Sequence, residues 1–407
     1  MSSYRTLRRL LVEMASASPG RTALAVLLTV LLSATEGINI LLLIPLLQLV
    51  GIGTGQASPA IATRIASVFS AAGIAPTLGG VLAVYVAVVG VRGLIGGYQT
   101  VVSVSLREDF TAKLRVRLYA AIVRAEWKFL VTRRASEVVH VLAGGIEGAG
   151  GLVFRTIDLG IAIAVSVVYL ALGLKLAPVV AGFILVGAGA MALASRGHLG
   201  TAKVLGARRW TARGDLHSVI SEHVAAMKTA KSYGAIGTHL RIFSRVSDEL
   251  RTASLEMSTS DTGLQRVLEF SSTAMLAGVV YAALRTGGST PAELLVVLFV
   301  CSRLIPRIVS INTRIHGLAG QLPGIEQIFR LETECLEAAE GMQVTTGKFE
   351  LRHAIRFDSV TFTYASRGDV PAVEGLNLDI AARLTTAFVG SSGAGKTTFA
   401  DLLIGLL

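Results

Sequence analysis

The amino-acid sequence predicts an all-α polytopic membrane domain of six transmembrane helices with long cytoplasmic extensions, followed by the N-terminal piece of an α/β domain. Three observations lead to this prediction: an apolar composition, six apolar segments of bilayer length, and a change of periodicity near residue 350. Hydrophobic residues make up 52% of the 407 residues and charged residues 16%, against about 25% charged in an ordinary soluble domain. The mean hydropathy of +0.63 also favours a membrane protein.

Six segments each provide the roughly 20 apolar residues that a bilayer crossing requires. They lie near 22–50, 77–103, 150–174, 176–196, 264–285 and 291–312. Only the short stretch GLKLAP separates the third segment from the fourth, so we expect these two to form a tight hairpin. The membrane domain is predicted to cover residues 1–325.

Lysine and arginine are concentrated in every second connection between these segments. The connections rich in them are 1–21, 104–149 and 197–263, whereas 51–76, 172–178 and 285–290 hold one each. Because cytoplasmic loops carry the excess of Lys and Arg, we predict a multi-pass protein of the plasma (inner) membrane with both termini cytoplasmic. The net charge of +11 is spread between apolar segments and forms no continuous basic face, so we expect no nucleic-acid partner.

The two long basic connections mix charged and apolar residues at helical spacing and contain no proline. This pattern favours helices that continue from the membrane into the cytoplasm. The alternative is a set of separate helices lying on the bilayer surface.

The pattern changes after the last apolar segment. A turn is predicted at Pro323 and Gly324, and residues 326–352 read as a polar, acidic linker. FDSVTFTY and AVEGLNLDI then alternate apolar with polar residues, and LTTAFV is a short run typical of a buried strand. Residues 353–407 are therefore predicted to be the N-terminal fragment of a soluble α/β domain.

The stretch GSSGAGKT fits the phosphate-binding pattern G-x-x-x-x-G-K-[ST] and is followed by an amphipathic helix. Its glycines let the backbone N–H groups point inward, and the helix N-terminus adds a positive partial charge. We expect Lys396 to reach the β- and γ-phosphates, Thr397 to ligate Mg²⁺ and Thr398 to contact the α-phosphate. The predicted nucleotide-binding residues of this loop are Gly390, Ser391, Ser392, Gly393, Ala394, Gly395, Lys396, Thr397 and Thr398.

Tyr364 lies 26 residues upstream of this loop, at the end of FDSVTFTY. From the spacing alone, its ring either packs in the core or stacks on a nucleotide base.

Taken together, these features resemble an ABC exporter half-transporter over essentially the whole chain. F-x-x-V-x-F-x-Y from Phe357 to Tyr364, followed by VPAVEGLNLDI, resembles the opening of that family's nucleotide-binding domain, and GSSGAGKTT matches its phosphate loop (Walker A motif). WKFLVTRRASEVVHVL resembles the first coupling loop and SEHVAAMKTAKSYGA the second.

The resemblance implies a function and a set of partners. ATP and Mg²⁺ would be the cofactors, Tyr364 would stack on adenine, and the coupling loops would include Trp127, Arg133, Glu222 and His223. The chain would work in a lipid bilayer as a homodimer, or as a heterodimer with another ABC half-transporter. Its activity would be that of an ABC-type ATPase or translocase: export, or leaflet translocation, of a small-molecule, lipid or peptide cargo.

The family's glutamine loop, signature sequence, acidic water site and switch histidine have no counterpart in these 407 residues. Because phosphoryl transfer needs several such groups, we expect a chain truncated after the Walker A motif to be hydrolysis-incompetent, and we assign no catalytic residue. One alternative is a non-catalytic membrane subunit that pairs with a complete half-transporter. A membrane-bound P-loop kinase is a weaker alternative, because no phosphoacceptor site is evident.

Charged residues inside apolar segments are costly and are therefore candidates for a substrate or gating role. Arg155 and Asp158 lie three residues apart on one helical face and are expected to pair. No basic residue of its own segment can neutralise Glu36. For the others, snorkelling to the interface or an internal ion pair is the structural alternative. The full set is Glu36, Arg92, Arg155, Asp158, Arg303 and Arg307.

Overall fold

The computed structural model describes residues 3–49, 78–176, 178–285, 291–341, 350–364 and 370–407. The chain forms two compact units. The first comprises Met1–Leu114 and Ala143–Gln327, and the second comprises Arg115–Leu142 and Ile328–Leu407.

Helices dominate the described part of the chain. Their bounds are α1 Ser3–Ala17, α2 Pro19–Leu49, α3 Leu78–Val123, α4 Trp127–Leu130, α5 Ala135–His140, α6 Ile146–Leu176, α7 Pro178–Ala225, α8 Met227–Ser232, α9 Ile236–Arg285, α10 Pro291–Ala319, α11 Leu322–Glu337 and α12 Lys396–Leu403. A π-helical turn, Val141–Gly145, connects α5 to α6. Two strands, β1 Ala354–Phe362 and β2 Val373–Ala381, lie in the second unit.

Three stretches of the described helices are long and apolar enough to cross a membrane: Gly79–Val123, Ala135–Leu174 and Pro178–Ala225. The bent pair Tyr4–Ala17 and Pro19–Thr35, with 106° between its helices, makes a fourth if it is counted as one span. This count covers only the residues that the structure describes. Each of the six predicted segments overlaps a long helix, but six crossings remain a prediction.

The helices continue beyond the predicted membrane segments, as expected for the two basic connections. Helix α3 has 46 residues and α7 has 48, so each is about 70 Å long at 1.5 Å per residue. The hydrocarbon core of a bilayer is only about 30 Å thick. A helix of this length that crosses a membrane must therefore project well outside it.

Packing in the first unit joins apolar residues from α6, α7, α9 and α10. One core cluster contains Val165, Tyr169, Val180, Ile184, Val279, Cys301, Leu304 and Ile305. Glycines bring these helices close together: a Cβ on Gly206 would overlap the carbonyl oxygen of Gly320, and one on Gly187 would overlap Met275. Within the predicted membrane segments, close approach at a small residue such as Gly187 is how helices associate where lipid offers no hydrophobic driving force.

The predicted turn and linker differ from the structure near Pro323. The turn lies just before it, at 320–321, and Pro323 itself sits in the first turn of α11, where a proline costs no hydrogen bond. The stretch predicted as a linker is helical as far as Glu337. Its apolar residues Ile328, Phe329 and Cys335 are at most 1% exposed. They form the buried face of the helix, but the acidic residues between them make the sequence resemble a polar linker.

In the second unit, β1 and β2 pair antiparallel, with Phe357 opposite Leu378. The strand predicted for LTTAFV does not form: residues 384–389 have no regular secondary structure, and Val389 is 91% exposed. A strand needs a neighbour for its backbone hydrogen bonds, and the described sheet contains only β1 and β2.

Candidate functional site

The candidate phosphate loop, Gly390–Thr397, leads directly into α12. Gly393 and Gly395 have φ angles of 86° and 80°, the left-handed region that other residues rarely adopt. Gly395 is the N-cap of α12, and a Cβ at this position would lie 2.6 Å from the carbonyl oxygen of Ala372. Residue 395 must therefore be glycine both for its backbone conformation and for the close approach of a neighbouring chain segment.

Lys396 folds back over the start of the same loop. Its Nζ donates hydrogen bonds to the carbonyl oxygens of Gly390 (2.9 Å) and Ser391 (2.6 Å). The loop thus brings together an ammonium group, the backbone N–H groups at the N-terminus of α12, and hydroxyl groups. This set of groups fits a polyphosphate. The exposed Thr397 adds a hard oxygen donor of the kind that Mg²⁺ prefers.

Tyr364 lies beside this helix. Its hydroxyl is 3.3 Å from Oγ1 of Thr398, and its ring packs edge-on against Phe362, with 5.0 Å between the centroids. Thr398 is 7% exposed. The structure therefore places Tyr364 beside the first turn of α12. The contact with Thr398 was not foreseen, and stacking on adenine remains a prediction.

Phe399 anchors α12 to the sheet. Its ring lies 4.9 Å from that of Phe357 and 4.6 Å from that of Phe388, and it shares a core with Ile380. Sequence reasoning missed Phe399 and Ala372 as supports of the loop, because both act through contacts between segments that are distant in sequence.

The first predicted coupling loop consists of α4, a turn and α5. Arg133 holds it in place through an ion pair with Glu334 of α11, a second pair with Glu137 at 3.6 Å, and a cation–π contact 5.1 Å from the Phe129 ring. Trp127 is 38% exposed and presents its ring at the surface. All of these residues belong to the second unit.

The second predicted coupling loop is the short helix α8 between the ends of α7 and α9. Glu222 accepts a hydrogen bond from Ser218 (2.9 Å), and the ring of His223 lies 4.1 Å from that of His239. Gly234, with φ 67°, permits the turn into α9. The tip exposes large side chains, of which Tyr233 is 83% exposed.

The expected ion pair between Arg155 and Asp158 is wrong. Asp158 pairs instead with Arg314 of α10, whose Nη1 lies 2.7 Å from Oδ1 and also donates to the carbonyl oxygen of Asp158 (2.6 Å). A partner on a packed neighbouring helix can reach both acceptors. Arg155 points elsewhere: its Nη1 lies 3.2 Å from where a Cβ on Gly317 would be.

The other membrane charges remain candidates only. Arg92 is half-buried on α3 and Arg303 is exposed on α10, while Arg307 lies 6.0 Å from the centre of the Tyr169 ring. The side chain of Glu36 lies outside the described residues. Among the described residues, no group of three or more His, Cys, Asp or Glu side chains is placed to hold a metal ion.

Three curated relatives are ATP-dependent lipid A-core flippases. The protein of Nitrosococcus oceani is 31% identical over 196 residues, covering 47% of this chain and 32% of its own length. The protein of Chromobacterium violaceum is 28% identical over 188 residues, covering 46% of this chain and 32% of its own length. The protein of Escherichia coli K12 is 29% identical over 177 residues, covering 42% of this chain and 29% of its own length. The matched region thus spans about a third of the length of these relatives.

The fold and family are shown by two further comparisons. A solved structure described as a bacterial Atm1-family ABC exporter with ATP bound superimposes with a TM-score of 0.71 at 21% identity, covering 95% of this chain and 66% of that one. At that identity, the likeness shows the fold alone. The model of the ABC transporter transmembrane region matches residues 41–305, which is more than half of the chain. This chain therefore belongs to the ABC transporter transmembrane-region family.

Proposed function

We propose that this protein is one half of an ABC exporter of the plasma (inner) membrane, which uses ATP to export its cargo or to move it between leaflets. The observation that carries the proposal is the loop Gly390–Thr397, with its two left-handed glycines and folded-back lysine, in a chain of the ABC transmembrane family. Among small-molecule, lipid and peptide cargoes, the lipid A-core flippase relatives favour a lipid.

The proposed organisation is a membrane domain at 1–325 with six crossings, followed by the start of a nucleotide-binding domain at 353–407. Both termini lie in the cytoplasm, which places the loop on the side that contains ATP. The alternation of Lys/Arg-rich and Lys/Arg-poor connections supports this orientation. The functional unit is a homodimer or a heterodimer with another ABC half-transporter.

At the proposed ATP site, each group of the loop has a separate role. Phosphate oxygens carry charge and are stronger acceptors than carbonyls, so the ammonium of Lys396 exchanges its bonds to Gly390 and Ser391 for the β- and γ-phosphates. The backbone N–H groups at 393–396 hold the phosphates in the loop. Thr397 would ligate Mg²⁺, which when bound would supply positive charge against the charge on these oxygens.

Tyr364 positions the base in this proposal. Its ring is held from one side by Phe362 and at its hydroxyl by Thr398. Both contacts restrict the ring before nucleotide arrives, and an ordered ring loses less conformational entropy on stacking with adenine.

The first coupling loop receives movement of the start of the nucleotide domain, which belongs to the same second unit. Arg133 in the loop pairs with Glu334, and Arg117 near the end of α3 pairs with Glu332, two residues earlier on α11. Helix α11 leads into the chain segment that reaches β1. We assign to these two ion pairs the mechanical link between the start of the nucleotide domain and the first coupling loop.

Transport by the protein expressed from its native gene tests this proposal. In proteoliposomes, we expect ATP-dependent translocation of a fluorescent lipid, and the variant Lys396→Ala should lose it. Arg352→Gln is the matched control, because it also removes a positive charge from the second unit, and among the residues that the structure describes Arg352 pairs only with the exposed Glu350. Equal translocation by wild type and Lys396→Ala would rule out the assigned role of the loop.

A further inference from the structure

A cavity of about 200 Å³ lies in the first unit, and none of its lining residues belongs to the phosphate loop or to a predicted coupling loop. Its walls come from the start of α6, the middle of α7 and the junction between α10 and α11. The cavity is smaller than the roughly 300–1,000 Å³ of pockets that hold drug-sized ligands. It has room for a small anion or for one polar group of a larger molecule.

Glycine backbone makes up much of the wall. Gly144 and Gly145 belong to the π-helical turn Val141–Gly145, and such turns occur often at functional sites. On the opposite side, Gly206 of α7 touches the backbone of Gly320. A Cβ on Gly324 would lie 2.5 Å from the ring of Trp210, so the aromatic wall is fixed against the backbone of α11.

Positive charge is concentrated at this cavity. Arg209 and Arg213 both line it, and Arg209 interacts electrostatically with Arg213, Arg155 and Asp261. Three guanidinium groups therefore share one carboxylate in this set. Among the described residues, no carboxylate lies within ion-pairing distance of Arg209 or Arg213.

Asp261 is the carboxylate that interacts with these arginines. Partial burial raises the pKa of its carboxyl, whereas Arg209 and then Arg155 lower it. Among the described residues, Asp261 lies near both arginines but forms an ion pair with neither. Arg209 is half-buried, whereas Arg213 and Arg155 are exposed. A half-buried guanidinium group without an ion-pair partner is costly, and an anion bound beside Arg209 would supply the missing negative charge.

We propose that this cavity binds an anionic phosphate group through Arg209 and Arg213, at a site separate from the nucleotide loop. The planar guanidinium matches phosphate oxygens bidentately. The cavity residues 144–149, 206–213 and 320–325 lie outside the predicted membrane segments, on the side predicted to be cytoplasmic. On that side, both lipid headgroups and soluble phosphates can present the anionic phosphate group that the two arginines would bind.

The emission of Trp210 tests the proposal directly. These 407 residues contain two tryptophans, so the variant Trp127→Phe leaves Trp210 as the only one among them. Adding Lys396→Ala to this background removes phosphate binding at the nucleotide loop from the measurement and separates this proposal from the proposed function. The protein is placed in phosphatidylcholine nanodiscs and titrated with sodium phosphate against sodium chloride at equal ionic strength. A second arm replaces part of the phosphatidylcholine by phosphatidylglycerol, in chloride buffer.

Two further variants test whether the response depends on the arginines that line the cavity. Arg209→Gln with Arg213→Gln should weaken the response about tenfold or more, the usual loss for a hydrogen bond to a charged group. Arg208→Gln should keep it, because Arg208 is the neighbouring residue and pairs with Glu256 at 2.6 Å outside the cavity. Thermal shift of each variant, with and without phosphate, checks folding and gives a second measure of binding.

Each outcome decides the proposal. A response to sodium phosphate that only the double variant loses supports a site for soluble phosphate. A response confined to phosphatidylglycerol, with the same pattern of variants, supports a site for a lipid headgroup. The proposal fails if neither arm responds, if the double variant responds like the wild type, or if Arg208→Gln abolishes the response equally.

Discussion

Arg117 of α3 and Glu332 of α11 form a two-point ion pair, in which Nη2 of Arg117 lies 3.2 Å from Oε2 of Glu332 and Nε binds the other carboxylate oxygen. The side chain of Glu332 is only 2% exposed, whereas that of Arg117 is 45% exposed. Removing the arginine therefore weakens the compensation of a buried carboxylate, and removing the carboxylate releases a group that water can solvate.

We expect Arg117→Ala to lower the free energy of unfolding by about 1–3 kcal/mol. The half-exposed arginine should keep the loss below the roughly 3–5 kcal/mol of a fully buried pair. Denaturant unfolding in detergent, followed by circular dichroism, measures it. Glu332→Gln should cost less than Arg117→Ala, and the exposed Arg124, in the turn directly after α3, provides the control Arg124→Ala. A loss from Arg124→Ala as large as that from Arg117→Ala would contradict this account.

Gly395→Ala should abolish the geometry of the phosphate loop. An alanine at 395 combines a left-handed backbone, which costs about 1–2 kcal/mol, with a Cβ 2.6 Å from the carbonyl oxygen of Ala372. We expect nucleotide affinity to fall more than tenfold, measured with a fluorescent ATP analogue. Gly405→Ala is a matched control, because Gly405 also has a positive φ of 74° but nothing lies within 4 Å of its Cβ position. Similar losses in both variants would mean that backbone strain, and not the contact with Ala372, explains the effect.

Cys335 should react slowly with thiol reagents as long as the protein is folded. Its side chain is fully buried, and burial raises the pKa of its thiol, helped by Glu334 and Glu332 and opposed by Arg133. Because only the thiolate reacts, the rate of N-ethylmaleimide labelling should be low at neutral pH and rise in denaturant. A Cys301→Ser background leaves Cys335 as the only thiol for mass spectrometry. Labelling of the folded protein at the rate of the denatured chain would show that α11 does not bury this residue.

Arg314→Gln should destabilise the first unit more than Arg155→Gln does. Arg314 bonds both the carboxylate and the backbone carbonyl of Asp158, whereas Arg155 has no such pair among the described residues. The side chains of the pair are partly exposed, so we expect a difference of about 1 kcal/mol or less, visible as a lower melting temperature in detergent. Equal destabilisation by Arg314→Gln and Arg155→Gln would contradict the assignment of Arg314, instead of Arg155, as the partner of Asp158.

Patterns local in sequence predicted much of this fold. The long helices follow from apolar runs and from proline-free stretches at helical spacing, and β1, β2 and α12 follow from alternating apolar residues and the glycine loop. The predictions for two segments were wrong for the same reason: the structure of each segment depends on residues that are distant in sequence. Residues 384–389 have strand composition but no neighbouring strand among the described residues, and α11 is acidic but buries Phe329 and Cys335.

At the candidate site too, the sequence predicted local features but not contacts between distant segments. The motif identified Gly395 and Lys396 because their roles depend on local backbone geometry. It did not identify Ala372, Phe399 or Arg314, which contribute through contacts across 20 residues or more of sequence. The cavity beside Arg209 was equally hidden, since its glycines are distributed over three separate segments and only the packing of the helices brings them together.

Equilibrium binding of ATP and Mg²⁺ to the protein from its native gene, in lipid nanodiscs, tests the central claim most directly. The loop Gly390–Thr397 should bind ATP saturably, and Lys396→Ala should weaken binding at least about tenfold, because it removes a charge-assisted contact to the phosphates. Arg352→Gln should bind like the wild type. Absence of saturable binding, or equal affinity of Lys396→Ala and wild type, would contradict the assignment of this loop as the ATP site of an exporter half.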